Sequence, residues 1–350
     1  MPQTPAAATV DQVQTEKLVS DILATVDRER EREIIARRFG LFDRKETLEQ
    51  IGEMLGITRE RVRQLEKSVI TRLRASAEQG QLPHVADFQT ALLELLHQDG
   101  ETARVSAIAA QLASGNPSRE EQARVAFLSQ LSPDVAVITE DDNFYYSVGV
   151  KSVRDEKALK SAVSDLIQTI ADLGEPKPIE EIAKAAGMDD PKQTAALASV
   201  SKHLATLNGR WGLVKWPMVN PKNIRDKIYV ILKENGKQMH FNEIAKAIKD
   251  SDFKRKDVTT QAIHNELIKD KRFVLIGRGI YALKEWGYQK GTVADVIADV
   301  LRDANEPLHR DEIVKRVLKS RFVKETTILL NLQGKPQFKR VAKATYALAE

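Results

Sequence analysis

Cysteine is absent from the 350 residues, aromatic side chains make up only 5% of them, and no apolar run approaches the ~18 residues that a membrane-spanning helix requires. Without cysteine there are no disulfides, no cysteine-ligated zinc, no iron-sulfur cluster and no thiol nucleophile. The first residues, Met1 to Thr9, lack the charged segment and apolar core of a secretory signal. The expectation is a soluble, cytoplasmic protein with no membrane partner. Signs of catalysis are missing too. The histidines, His84, His97, His203, His240, His264 and His309, are scattered without paired-ligand spacing, and His240 and His309 stand where helices begin, a place that capping explains. Gly277-Arg278-Gly279 does not fit the phosphate-loop patterns. Glu180-Glu181 and Asp189-Asp190 are adjacent pairs, so on a helix their carboxylates point in different directions. No enzyme, no cofactor, no metal and no small-molecule substrate is expected.

Net charge is also scarce, at +4, but it is unevenly spread. Residues 1–80 carry 14 basic and 14 acidic side chains, 81–150 carry 3 and 10, and 151–219 carry 10 and 9. Residues 220–288 carry 15 and 9, and 289–350 carry 12 and 8. An acidic second segment is therefore offset by a basic C-terminal part, an asymmetry that points to a polyanionic partner, although lysine-rich helices can simply be solvated.

What is present is a repeat. Five stretches share an apolar residue, a polar pair and an isoleucine: Leu48 to Gly52, Val105 to Ala109, Ile179 to Ala183, Phe241 to Ala245, and Leu308 to Ile313, the last with His309 inserted. Their anchors, Ile51, Ile108, Ile182, Ile244 and Ile313, are spaced for small modules rather than solenoid repeats. The last four modules each close with an aromatic, β-branched stretch: Asn143 to Val148, Gly209 to Trp216, Phe273 to Leu283 and Phe338 to Leu348. Phe273 and Phe338 are both followed by Tyr-Ala-Leu at the same interval, at Tyr281 and Tyr346. Short strands around a turn read as hairpins, and three helices followed by a hairpin is the winged-helix arrangement. Tyr281, Tyr346 and Trp211 are expected to pack hairpin onto helices. The expected fold is mainly α with small β-wings: an N-terminal helix-turn-helix domain over 1–80, an acidic winged helix over 81–150, and further winged helices over 151–219, 220–288 and 289–350.

Residues 28–74 carry the sharpest pattern. Arg28 to Phe39 reads as a charged helix with Ile34, Ile35 and Phe39 apolar, ended by Gly40. Thr47 starts a second helix with Gln50 at the capping-box position and Leu48, Ile51, Met54 and Leu55 as its apolar face. Gly56 turns the chain and Thr58 caps a third helix with the stripe Val62, Leu65, Val69 and Leu73. On its other side Glu60, Arg63, Gln64 and Lys67 recur at i, i+3, i+4 and i+7, flanked by Arg59. Arginine can donate twice to guanine, glutamine pairs with adenine, and a carboxylate accepts from cytosine. Lys67, Arg72 and Arg74, further along, would meet phosphates. A solvated helix shows mixed charge as well, and six basic against two acidic residues from Ile57 to Ser76 tilt the balance towards DNA.

The runs Arg30 to Ile35, Arg38 to Leu41, Thr47 to Gly52 and Leu55 to Lys67 resemble region 4 of the sigma-70 family of bacterial RNA polymerase sigma factors. The resemblance implies a helix-turn-helix that binds the minus-35 promoter element and docks on the polymerase flap. It places Arg59, Glu60, Arg63 and Gln64, next to the cap Thr58, on bases, and Arg61 and Lys67 on the DNA backbone. It covers only about the first fifth of the chain. Upstream of residue 28 there is no aromatic-rich segment of the kind a complete sigma factor uses at the minus-10 element, so the chain is not expected to melt a promoter alone. Asn223 to Tyr288, through Ile244-Ala245, Ala262 to Leu267 and Gly279 to Leu283, is similar to HARE-type winged helices such as that of the bacterial RNA polymerase delta subunit. Gly209 to Leu213 with Trp216-Pro217 resembles the delta wing. The expected function is that of a DNA-binding factor in bacterial transcription initiation. It reads promoter DNA through the helix-turn-helix and contacts DNA or polymerase through the winged helices. The alternative is a delta-like accessory subunit that acts by protein contacts, motivated by the acidic segment.

Overall fold

Side-chain caps set the start of two of the first four helices, the third and the fourth. In the computed structural model, which describes residues 14–113, 115–288 and 291–349, the chain begins with α1 (Thr15–Ala24), α2 (Glu29–Phe39), α3 (Leu48–Leu55) and α4 (Arg59–Glu78). The N-terminal stretch Met1 to Thr9 lies outside the described residues. At the start of α3 the Gln50 amide donates to Thr47 Oγ1 (3.2 Å) and the Thr47 amide donates to Gln50 Oε1 (2.9 Å), the expected capping box. Gly56 adopts the left-handed conformation (φ 64°) that the turn requires. Thr58 Oγ1 then accepts from the Arg61 amide (3.2 Å) to open α4. Ile34, Ile51 and Val62, all 0% exposed, form the small core between α2, α3 and α4, with Leu48, Leu55, Ile57 and Leu65 around it. Met54, expected on the apolar face, is instead 44% exposed. The stripe of Leu48, Ile51 and Leu55 already fills the contact with α4, and Met54 falls at its margin.

From residue 85 onward one element order recurs four times. Its first occurrence is α5 (Val85–Asp99), β1 (Thr102–Arg104), α6 (Val105–Leu112), α7 (Arg119–Leu131), β2 (Val135–Ile138) and β3 (Ser147–Val150). The second is α8 (Glu156–Leu173), β4 (Lys177–Pro178), α9 (Ile179–Ala185), α10 (Pro191–Val200), β5 (Leu204–Leu207) and β6 (Arg210–Leu213). The third is α11 (Ile224–Asn235), β7 (Met239–His240), α12 (Phe241–Asp250), α13 (Thr260–Lys269), β8 (Phe273–Gly277) and β9 (Ile280–Leu283). The fourth is α14 (Val293–Ala304), β10 (Leu308–His309), α15 (Arg310–Ser320), α16 (Glu325–Gly334), β11 (Phe338–Ala342) and β12 (Thr345–Leu348). In each sheet the last strand lies in the middle, antiparallel to both neighbours: β1-β3-β2, β4-β6-β5, β7-β9-β8 and β10-β12-β11. The five isoleucine anchors of the sequence repeat are all 0% exposed, so the shared pattern marks the residue that fixes its helix, α3 or the second helix of each repeat, to the core.

Two hairpins fall where the aromatic stretches place them. Phe273 pairs with Leu283 and Phe338 with Leu348, and both ladders shift register three residues on, before Gly277 and before Ala342. The other two are displaced. The strand opposite β3 is Val135–Ile138, so Asn143 lies in the connection, and β6 pairs with Leu204–Leu207, upstream of Gly209. Neither outer strand carries an aromatic residue, and in the first repeat Phe144, Tyr145 and Tyr146 themselves precede the inner strand, so the aromatic stretches do not bound these two hairpins. Tyr281 and Tyr346 are buried as expected, while Trp211 is only half-buried.

Two compact units form, one ending at Val214 and one beginning at Lys215. In the first, a single apolar cluster continues through residue 80, joining Val19 and Ile22 of α1, Ile35 of α2 and Val69 of α4 to Phe88 of α5 and Phe127 of α7. The Phe39 and Phe127 rings meet edge-on with centroids 5.2 Å apart.

Candidate nucleic-acid interface

Helix α4 has two faces with different fates. Val62, Val69, Ile70 and Leu73 are buried. Thr58, Arg59, Glu60, Arg61, Arg63, Gln64 and Lys67, the residues that the sigma resemblance places on or beside DNA, are all exposed. Counted from the cap, Glu60, Arg63, Gln64 and Lys67 occupy the second, fifth, sixth and ninth helical positions. The first turns of a helix held by a helix-turn-helix are those that enter a major groove and reach base edges.

The polar groups of this face satisfy one another. Arg63 forks onto the Glu60 carboxylate, with Nε to Oε2 at 2.9 Å and Nη2 to Oε1 at 2.7 Å. Gln64 Nε2 donates to the same carboxylate at 3.4 Å. The Arg63 hydrogen bonds hold the Glu60 carboxyl below its ordinary pKa, and the carboxylate raises that of the Arg63 guanidinium in turn. Arg59 Nη1 reaches back to Glu49 Oε1 of α3 at 3.0 Å and lowers its pKa, a pairing that the residue pattern of α4 alone gave no means to foresee. All these groups are well exposed, so each pair is worth little and a phosphate or base edge can replace it at small cost.

Further along α4 two exposed cations have partners within the protein. Arg72 pairs with the buried Glu31 of α2, and Arg74 Nε donates to the Gln130 carbonyl of α7 at 2.7 Å. These two cations, expected on phosphates, are engaged by the protein itself. Arg124 of α7 completes the clasp: Nε donates to the Leu41 carbonyl and the guanidinium pairs with Glu16, both at 2.8 Å. The sequence signal for this was the run Val125 to Ser129, which is buried throughout and therefore has no solvent face. Arg38 pairs with Glu66 at 3.1 Å, tying α2 to the middle of α4.

Elsewhere, His240 and His309 do cap helices, each Nδ1 accepting an amide two residues ahead at 3.3 Å. Among the described residues no group of three His, Asp or Glu side chains is arranged to hold a metal ion, and no helix is long and apolar enough to cross a membrane.

The geometry of α2 to α4 defines a helix-turn-helix with its second helix open to solvent. Residues 28–75 match the sigma-70 region 4 family. The chain is similar to the RNA polymerase sigma factor RpoD of Helicobacter pylori, 44% identical over 72 residues, which is 19% of this chain and 11% of that protein. It is also similar to the RNA polymerase sigma factor SigA of a Bacillus species, 44% identical over 72 residues, 20% of this chain and 19% of that protein. A third similarity is to the RNA polymerase sigma factor sigB of Arabidopsis thaliana, 52% identical over 46 residues, 13% of this chain and 8% of that protein. The chain thus spans less than a fifth of the length of these relatives.

Proposed function

We propose that the chain is a DNA-binding factor of bacterial transcription initiation that inserts the first half of α4 into the major groove of a minus-35-like promoter element. The observation that carries this reading is the single exposed polar face of α4, set at the start of a helix whose other side is buried. Arg59, Glu60, Arg63 and Gln64 read base edges, with Thr58 beside them, while Arg61 and Lys67 meet the DNA backbone. Likeness to RNA polymerase sigma factors makes the polymerase core, flap included, the proposed protein partner, and the cytoplasm the proposed compartment.

In the same reading the four repeated modules, over 81–150, 151–219, 220–288 and 289–350, are winged helices, the third of them of HARE type. Their element order and central last strand support this. They contact DNA or polymerase, and the chain has no chemistry of its own. The alternative of a delta-like subunit that grips polymerase through α4 finds less support, because that face is charged and interface cores are depleted of charge.

Arg63→Ala combined with Gln64→Ala is expected to cost ~1 to 3 kcal/mol for each lost base contact and to flatten sequence preference in competition binding. Unchanged affinity together with a footprint lacking any sequence preference would sink the proposal. Co-purification with core polymerase that survives nuclease would favour the accessory-subunit alternative.

A further inference from the structure

Among the third helices of the repeated modules, α13 presents a face that nothing so far has used. Thr259 caps it, its side chain accepting from the Ala262 amide at 3.2 Å, as Thr58 caps α4. Ile263 and Leu267, 0% and 1% exposed, bury one stripe. Counted from the cap, the second, fifth, sixth and ninth positions are Gln261, His264, Asn265 and Ile268, the same four positions that Glu60, Arg63, Gln64 and Lys67 hold on α4. Gln261 and Asn265 are exposed and joined by a hydrogen bond of 3.0 Å, and Ile268 is 65% exposed, a large apolar side chain held out in water. His264 is half-buried, its ring 4.9 Å from that of Phe241 and 6.1 Å from that of Tyr281, so its position is fixed by the second helix and the hairpin.

The chemistry of this face differs from that of α4 in one respect: it has no charge. Asparagine and glutamine amides fit the N6 and N7 edge of adenine, and an apolar group fits the thymine methyl. Guanine readers of the arginine or lysine kind, and the carboxylates that accept from cytosine, are missing from these four positions. The cations stand around the face instead. Lys254 and Arg255 lie exposed in the loop before α13, Lys269 and Lys271 at its end, and Arg278 at the tip of the β8–β9 hairpin. This is the division of labour of a groove reader, with cations on phosphates giving affinity and neutral groups giving sequence.

We propose that α13 is a second sequence-reading helix, specific for A·T base pairs in the major groove through Gln261, Asn265 and Ile268. The proposal rests on the reading that the chain binds duplex DNA, and it adds a second element to the DNA that the chain recognises. The four corresponding positions of α16 are Thr326, Leu329, Leu330 and Gln333, with Leu330 68% exposed and without that pair of amides. The assignment is therefore to α13 and not to third helices in general.

The test is selection of the full chain on a random duplex library, with sequencing of the bound DNA. Three proteins are compared: the natural sequence, Gln261→Ala with Asn265→Ala, and Arg63→Ala with Gln64→Ala. Both altered residues of α13 are exposed, and circular dichroism checks that the fold is kept. The natural chain is expected to enrich two elements, one of them A·T-rich. The α13 variant loses the A·T-rich element alone, with affinity for the best site falling about tenfold or more. The α4 variant loses the other element alone. An α13 variant that enriches the A·T-rich element as strongly as the natural chain, or a natural chain that enriches none, overturns the proposal. If the A·T-rich element depends on Gln261 and Asn265 while the α4 substitutions change nothing, α13 stands as assigned and the reading of α4 falls.

Discussion

The third helices α7 and α13 occupy the same place in the same element order, and their corresponding side chains have opposite surroundings. At the second, fifth, sixth and ninth positions α7 has Glu120, Ala123, Arg124 and Phe127. Phe127 is 0% exposed against Phe39, and Arg124 is tied to Leu41 and Glu16, so the face that could have read DNA is spent on holding α1, α2 and α4. On α10 the corresponding residues are Lys192, Ala195, Ala196 and Ser199, and that side lies on the first repeat, where Arg104 donates to the Ser199 carbonyl. On α13 the same positions hold amides and an exposed isoleucine. One fold is thus used in two ways, and the difference is apolar content: a third helix with buried residues on nearly every side becomes scaffold, and one with a single buried stripe keeps a free face.

Phe127 offers the most forceful way to break the comparison. Phe127→Ala removes a fully buried ring from the contact between the helix-turn-helix and the first repeat, at an expected cost of ~3 to 5 kcal/mol. Urea unfolding of the first unit is the measurement. A loss under about 1 kcal/mol would mean that α7 is not the support on which α4 depends.

Much of this was legible from residue order, and the part that was not has a common cause. The capping box at Thr47, the turn at Gly56, the cap at Thr58 and the polar face of α4 were readable because each is decided within a few residues. The isoleucine anchors and two of the four hairpins were readable because repetition exposes them. What escaped depends on contacts distant in sequence. Arg72 and Arg74 look like phosphate ligands until Glu31 and the Gln130 carbonyl are brought to them, and Met54 looks like core until the width of the α3–α4 contact is known. The amides of α13 were equally visible, but they gain meaning only when the cap at Thr259 sets their positions beside those of α4.

A smaller effect is expected at Gly100, which ends α5 where α10 packs against it. Its φ of 94° is strained for any residue with a side chain, and an added Cβ would stand 2.8 Å from the Lys192 carbonyl oxygen. Gly100→Ala should therefore lower the stability of the first unit by ~1 to 3 kcal/mol, read as a shift of the urea midpoint. The same substitution at Gly174, which ends α8 at a φ of 72° with nothing within 4 Å of an added Cβ, carries only the backbone part of that cost. Equal losses at the two glycines would contradict the close approach of α10.

The least effect, and the finest comparison, concerns the second helical position, where α4 has Glu60 and α7 has Glu120. Both carboxyls are held below their ordinary pKa, for different reasons: Arg63 hydrogen bonds lead at Glu60, whereas backbone amide and Ser118 hydrogen bonds of the cap lead at Glu120. A carboxyl whose folded-state pKa is depressed adds stability above its unfolded pKa and loses it as pH falls through the lower folded value. The acid limb of the stability curve, below the usual carboxylate range, is therefore where both groups act, and near neutral pH neither titrates. Followed by NMR of the side-chain carboxyl carbons, Arg63→Ala should raise the Glu60 midpoint towards its ordinary value. Arg124→Ala should leave that of Glu120 nearly in place, because the Arg124 charge is a minor influence there. A Glu60 midpoint indifferent to Arg63 would mean that the fork between them does not persist in solution, and that the Arg63 guanidinium is not held by Glu60.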